Sequence, residues 1–442
     1  MTSTVLTVRI ILEVRATVVI VNWNGAHLLG PCLDALAKQD ADDFETVVVD
    51  NASSDGSVAL LRSSYPWVRV IEAGANLGFA GGNNVALRTV TTPYVVLLNN
   101  DAVPEPTWLS RSLAALEAHP EAGCVTPKIL FLPRFVRVSL STEAFRPGGA
   151  DPRDLGVRIH AVQGTDGKPL WERLTWGPEA GFTWTRPAGE FLLPAGDGPV
   201  TVEWAADREK DVTLSWDGGS VTLPVGPQPA EVTFEVPPGV PRVDVLNNAG
   251  GIVYADGYGA DRAFQQVDDG SFDTAGEVFT FCGNGVAFRS AVLADVGLFD
   301  DDFFLYYEDT DLAWRLRARG HAVRYEPSAV LRHHHSASSG EESPVFRFHV
   351  DRNRLLMLTK NASAGLARRE VLRYPLTTAS IALRALRSGH VRSAARPTLL
   401  RLRVIASYLR LLPSMLARRR AIDAARTVSR RDLESRWLVP RS

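Results

Sequence analysis

Cysteine is nearly absent from this 442-residue chain. Its three copies, Cys32, Cys124 and Cys282, are odd in number and far apart. That excludes a disulfide framework and a Cys-x-x-Cys metal site, and fits a reducing compartment. No run reaches the ~18–20 uninterrupted apolar residues of a spanning helix. Residues 4–21 are broken by Arg9, Glu13 and Arg15 and lack a signal-peptide cleavage site, so residues 1–15 read as an edge strand or a leader. Lysine is missing from residues 365–442, where eighteen Arg face four acids, a balance of +14. The net charge of −2 therefore hides an acidic body and a strongly basic tail. No G-x-G-x-x-G follows an early strand, and no Gly-Lys-Ser/Thr ends a glycine loop, which disfavours dinucleotide and P-loop folds. With 45% apolar and 22% charged positions the chain buries a full core, and its length suggests two or three domains.

Short β-branched runs at 17–21, 46–49, 68–71 and 94–98 read as buried strands. Helical patterns at 28–37, 57–63, 83–89 and 108–118 alternate with them. This order predicts an α/β fold, a mostly parallel sheet with helices on both faces, over residues 1–132. Ligands of such sheets sit beyond the carboxyl ends of the strands. Period-two stretches and the Asp217–Gly218–Gly219 turn predict an inserted antiparallel β-sandwich over 133–242. Five of the ten Trp lie between Trp171 and Trp216, as sandwich core or as sugar platforms. The α/β pattern resumes over 243–345, with a loop at 247–272, a helix at 290–295, another ending at Gly320 and a strand at 322–325. Residues 346–442 read as an Arg-rich helical region.

Five segments carry side chains suited to chemistry. VVIVNWN at 18–24 and VVVDNASSDGS at 47–57 set Asn22, Asn24 and Asp50 just past apolar runs. Asp50 can accept hydrogen bonds from a nucleobase or ribose, or with Asn51 make an Asx turn into the next helix. NLGFAGGNN at 76–84 lets backbone approach a ligand and offers helix N-terminal amides to phosphate, or serves as a plain loop and cap. In LLNNDA at 97–102, Asp101 suits a hard divalent cation that bridges two phosphate oxygens, or sits in a strand-ending turn into Pro104 and Pro106.

FFLYYEDTDLAWRLRARG at 303–320 brings Glu308, Asp309 and Asp311 to a helix start behind Phe303, Phe304, Tyr306 and Tyr307, which are expected to wall a pocket. A carboxylate there can take a proton from an acceptor hydroxyl, and the helix dipole would keep it ionised. Capping the helix is the competing reading. LRHHHSASS at 331–339 has three adjacent His that cannot all be core, because neighbouring strand side chains face opposite ways. They suit metal or phosphate, or a solvated strand end.

In this order the five segments resemble family 2 glycosyltransferases with the GT-A fold. The likeness is nearest to bacterial rhamnosyl- and galactofuranosyltransferase-like members that build cell-surface polysaccharide. It covers 16–132 and about 243–345, and the β-rich insert lies outside it. The resemblance implies that Asp50 recognises the nucleotide base with Asn22 and Asn24 nearby, and that Asn76, Gly78, Phe79, Gly82 and Asn84 lie beside the sugar nucleotide. Asn99–Asn100–Asp101 looks like the family's DXD element with Asn99 for its leading Asp, so Asp101 supplies the surviving carboxylate. Gly283 and Asn284 of the Cys-Gly-Asn-Gly stretch fall at a donor-sugar loop. Asp309 matches the catalytic base, with Glu308 and Trp314 expected against substrate. His333, followed by Ala337 and Ser338, matches the metal or diphosphate ligand, with His335 as rival. The implied reaction is inverting single displacement with Mg²⁺ or Mn²⁺, the donor a nucleoside diphosphate sugar such as dTDP-rhamnose, and the acceptor a glycan or lipid-linked glycan.

The basic tail contains an amphipathic stretch at 399–416. It suits peripheral attachment to an anionic membrane, on the cytoplasmic face where a lipid-linked acceptor is found, or packing as a plain helical bundle. The acidic body and the absence of a recognition motif argue against nucleic acid. Two other function classes fit the same residues: a degenerate scaffold whose β-insert binds glycan, and a sugar nucleotidyltransferase, which releases pyrophosphate.

Overall fold

The computed structural model describes residues 13–149, 151–164, 169–171, 174–179, 181–194, 198–334, 343–389 and 391–441. The chain divides into two compact units. The first comprises residues up to Ile129, Asn248–Phe264 and everything from Ser271 onward. The second comprises Leu130–Asn247 and Gln265–Gly270.

The first unit is built on strands β1 (Ala16–Asn22), β2 (Phe44–Asp50), β3 (Arg69–Glu72), β4 (Tyr94–Asn99), β5 (Ala102–Pro104) and β6 (Ala122–Phe131). The sheet runs β3–β2–β1–β4, then Ala287–Arg289, β6, Ala322–His333 and Gly276–Glu277. β1 pairs parallel with β2 and β4, and β2 with β3, whereas Ala287–Arg289 runs antiparallel to both of its neighbours. Alternation decides which residues face which helices. Val18, Ile20, Val48, Val96 and Leu98 join a core with Leu29 and Leu33 of α1 (Ala26–Leu36) and Trp108 and Leu113 of α4 (Trp108–Ala118). Each such fully buried side chain contributes ~1.5–3 kcal/mol. Between these helices in sequence lie α2 (Ser57–Ser64) and α3 (Gly78–Leu87). α3 covers the opposite face so closely that a Cβ on Gly82 would meet Val21 Cγ1 at 2.7 Å.

Register sets the functional edge. Asn22 lies opposite Asp50, and Val21 opposite Asn99, so three apolar strands end in polar residues along one line. The strand expected at 322–325 runs on to His333. Pro327 interrupts its sequence pattern, but β5 pairs with its far end and sets His333 opposite Ala102. The stretch expected as a loop holds the short strands Gly251–Tyr254 and Gly259–Asp261, and the first of these pairs parallel with Leu438–Val439.

Helices α5 (Ser290–Val296), α6 (Glu308–Ala318), α7 (Pro344–Asn361), α8 (Ala364–Arg387), α9 (Val391–Ala425) and α10 (Arg430–Trp437) complete the unit. Phe303, Tyr307, Trp314, Leu355, Met357, Tyr374, Tyr408 and Leu433 form one core among them.

The second unit has two antiparallel sheets, of five and four strands, that share one apolar core with Trp204 buried inside it. Lys210–Trp216 and Gly219–Val225 make a hairpin whose turn residue Gly218 has φ +81°. A void of about 20 Å³ between Leu140, Trp171, Phe191 and Trp204 is too small for a sugar ring.

Candidate active site

The sheet edge gathers buried polar groups faster than the chain can pair them. Asn22 is fully buried; its Oδ1 accepts from Asn100 Nδ2 at 2.8 Å and its Nδ2 donates to Ser53 Oγ at 3.2 Å. Gly25 lets the chain pass there, because a Cβ would lie 2.3 Å from Asn100 Nδ2. Asn24, at φ 50°, accepts from the Ser54 amide at 2.8 Å. Asp50 accepts from the Ser53 amide at 3.0 Å through Oδ2, so the Asx turn exists, yet its buried Oδ1 has no hydrogen-bond partner among the described residues. A buried carboxylate oxygen left open at a strand end is a place for a ligand's donor.

The glycine-rich stretch behaves differently from the expectation. Its helix starts at Gly78 rather than 83, and its first amides are already taken: Phe79 N–H donates to the Phe304 carbonyl at 2.8 Å and Ala80 N–H to the same oxygen at 3.3 Å. Asn76 is exposed and accepts from the Gly78 amide at 3.0 Å. Gly78 (φ +69°) permits this contact, since a Cβ would lie 2.3 Å from that carbonyl. Phe79 packs edge-on against Phe299 and lies against Gly283. Gly82 serves helix–strand packing, and Asn84 bridges Phe299 and Asp301 through both its amide atoms. The phosphate-cradling reading of this helix end is thereby corrected: α3 binds the loop before α6.

Past β4, Asp101 and His333 converge. His333 Nε2 lies 3.2 Å from Asp101 Oδ1, and both side chains are about nine-tenths buried. That Asp101 oxygen nevertheless has no aligned hydrogen-bond donor among the described residues. Carboxylate oxygen and imidazole nitrogen at this separation, unaligned with each other, suit joint ligation of a divalent cation. Among the described residues no three His, Cys, Asp or Glu form a self-contained metal cage. His334 is exposed, and His335 lies outside the described residues. Beside this pair, Asn284 accepts from the Asn99 amide at 3.1 Å through Oδ1, while its buried Nδ2 has no hydrogen-bond partner among the described residues.

The Cys282–Gly285 segment links the strand edge to the acids of α6. The Cys282 thiol is pushed well up by burial and by the charges of Asp261, Asp309 and Glu308 around it. The three acids of α6 divide their roles. Asp311 is fully buried and takes Lys360 Nζ at 2.8 Å, Asn361 Nδ2 at 2.7 Å and Arg315 Nε at 3.0 Å. Burial opposes its charge, but Lys360 and Arg315 hold it below the usual carboxylate range. Glu308 is pushed well above its ordinary value by burial and by the Asp309 charge, and its Oε2 has no hydrogen-bond partner among the described residues. Half-buried Asp309 accepts hydrogen bonds from the Thr310 amide and hydroxyl. Burial pushes it up to about 6, the Thr310 donors pull it back, and the Asp261 charge adds to the rise. The helix terminus alone would have kept it low; desolvation outweighs it.

The backbone delivering these acids is strained. Phe304, Tyr306 and Tyr307 have φ of 64°, 67° and 68° without being glycine. Asn353 Nδ2 donates to the carbonyls of Phe303, Leu305 and Tyr306 at 2.8, 2.8 and 2.7 Å, and Arg352 binds those of Asp302 and Phe303. Such strain persists only where surroundings over-determine it, most often at functional sites. Of the aromatic wall, Phe303 and Tyr307 turn into the core, while Phe304 stacks on His349 and Tyr306 packs on Phe346. Trp314 is 1% exposed against Phe279, which corrects its reading as a substrate contact. Asp261, Arg352 and Asn353 carry no motif in the sequence and emerge only from the fold.

The models described as Glycosyl transferase family 2 and Glycosyl transferase family group 2 match residues 17–153 and 241–363. The N-acetylglucosaminyl-diphospho-decaprenol L-rhamnosyltransferase of Mycobacterium tuberculosis is 32% identical over 336 residues, 74% of this chain and 78% of that one. The teichoic acid poly(glycerol phosphate) polymerase of Staphylococcus epidermidis is 29% identical over 91 residues, 20% of this chain, and the match spans only 13% of its length. For an uncharacterized glycosyltransferase of Haemophilus influenzae, 27% identical over 25% of this chain, the spanned share is 37%. A mannosyltransferase from Pyrobaculum calidifontis in complex with GDP-Man and Mn²⁺ superposes with a TM-score of 0.41 at 14% identity, covering 90% of this chain and 87% of that one. The sheet is mixed, parallel across β1–β4 and antiparallel about Ala287–Arg289, and is accompanied by extra antiparallel sheets and C-terminal helices. Given the extent and identity of the mycobacterial match, the chain belongs to glycosyltransferase family 2, a family of inverting hexosyltransferases.

Proposed function

We propose that this chain is an inverting, divalent-metal-dependent glycosyltransferase that moves a sugar from a nucleoside diphosphate onto a glycan or lipid-linked glycan. The observation that carries the reading is the contrast within α6: Asp311 is neutralised by Lys360 and Arg315, whereas Asp309 meets no cation among the described residues and is pushed up to about 6. A carboxylate with that value is mostly ionised near neutrality yet more basic than an ordinary Asp, as a general base requires. Asp309 takes the proton from the acceptor hydroxyl as that oxygen attacks the anomeric carbon. Glu308, whose carboxyl burial and the Asp309 charge push upward, stands beside it. Asp50 Oδ1 accepts from the nucleoside, and Asn284 Nδ2 donates toward the donor's oxygens. Asp101 and His333 would hold a divalent cation such as Mg²⁺ or Mn²⁺, which when bound would supply positive charge opposite the departing diphosphate.

The mycobacterial relative's name supports an L-rhamnose nucleotide as the first donor to test, dTDP-rhamnose among the candidates, and a diphospholipid-linked sugar as acceptor. The test is nucleoside diphosphate release from a panel of sugar nucleotides, with and without divalent cation, in wild type and Asp309→Asn. Cation-dependent release that needs Asp309 supports the reading. Pyrophosphate as product would favour a nucleotidyltransferase, and no release from any donor would favour a glycan-binding scaffold.

A further inference from the structure

Helices α8 and α9 each bury one face and leave a second apolar stripe in the open. In α8, Leu366, Tyr374 and Thr378 are buried, while Leu372, Leu376, Leu383 and Leu386 are 54–69% exposed. Steps of four, seven and three residues put those leucines on one face. In α9, Val404, Tyr408 and Met415 are buried, while Leu399, Leu402, Leu409 and Leu416 are 41–57% exposed. Steps of three, seven and seven again keep one face. Lone exposed leucines are ordinary, but eight in two stripes make a patch that asks for an occupant.

The charge beside the stripes names it. Exposed Arg373, Arg384 and Arg387 flank the α8 leucines, and Arg396, Arg403 and Arg410 flank those of α9. Residues 371–420 hold eleven Arg and no Asp, Glu or Lys, so the borders are strongly basic, with Arg373 alone of the six placed near an acid of its own helix, 3.9 Å from Glu370 one turn earlier, among the described residues. A second copy of the same surface would bring arginine against arginine. Among the described residues no helix is long and apolar enough to cross a membrane, so the helices would lie along a surface.

We infer that α8 and α9 dock on an anionic lipid bilayer, with leucines at the acyl boundary and Arg at headgroup phosphates. The inference rests on these helices alone; together with the transferase reading it specifies an acceptor met in the plane of the membrane.

The test is co-sedimentation of the full chain with vesicles of phosphatidylcholine alone or mixed with phosphatidylglycerol. Binding to the mixed vesicles, released by salt and weak on the neutral ones, is expected. Arg403→Gln and Arg410→Gln should each weaken it about fivefold. Leu376→Ser with Leu383→Ser should weaken it about tenfold or more. These exposed substitutions should leave thermal unfolding and donor hydrolysis in solution unchanged, which separates failure of docking from failure of the transferase reading. A wild-type chain that stays in the supernatant overturns the inference, as does equal binding to both vesicles. So does a dimer that the leucine variants split, because it identifies a second copy as the occupant.

Discussion

Asp101 reaches its position through strand register, whereas Asp309 reaches its own through a backbone held against its preference. β5 pairs with Ala322–His333 and carries Asp101 to the imidazole at no conformational cost. Before α6, three bulky residues sit at positive φ, each costing ~1–3 kcal/mol. Donors from Arg352 and Asn353, far along the chain, offset that cost. The difference teaches that the proposed cation pair is set by local pairing, while the proposed base depends on long-range support and is the more easily lost.

The sharpest break in the comparison is Asp309→Asn. Turnover should fall about a thousandfold with nucleotide affinity largely kept, measured by diphosphate release and equilibrium binding. The same change should stabilise the protein. A carboxyl whose value in the folded chain lies near 6, against about 4 unfolded, makes the folded state bind more protons across that window. Stability is therefore lost as pH rises through it, and the neutral variant should gain on the order of 1 kcal/mol at neutral pH, fading toward pH 4, as read by denaturant melts.

Asp101→Asn should cut cation-stimulated turnover about a hundredfold and abolish the cation titration while leaving thermal stability nearly unchanged. Asn353→Ala should do the reverse. It removes the Asn353 donor from the carbonyls of Leu305 and Tyr306, while Arg352 still binds that of Phe303, costs about 1–3 kcal/mol, and lowers kcat about tenfold through a looser Asp309 with little change in donor KM. If Asp101→Asn destabilised more than Asn353→Ala, the contrast between register and strain would fail.

The sequence shows the register-built part plainly. Apolar runs stop at Asn22, Asp50 and Asn99, and parallel pairing then aligns their ends. The strain-built part is hidden for a physical reason. Left-handed backbone usually advertises itself through glycine, but here it falls on Phe304, Tyr306 and Tyr307 and is imposed by a helix some fifty residues later. α3 starts five residues before its sequence pattern does, because GFAGGNN has little helical preference of its own and the Phe304 carbonyl caps it from across the fold. Asp261 went unseen in what reads as loop. The extension of the last long strand past Pro327 likewise depends on a partner, β5, that no local pattern announces.

The acid limb of kcat/KM for sugar transfer tests the account most directly. With the cation saturating, the rate should fall as pH drops through about 6, following protonation of Asp309, and the residual rate of Asp309→Asn should show no such limb. A wild-type rate that stays level through that range and falls only near the ordinary aspartate value of about 4 would contradict the proposed base.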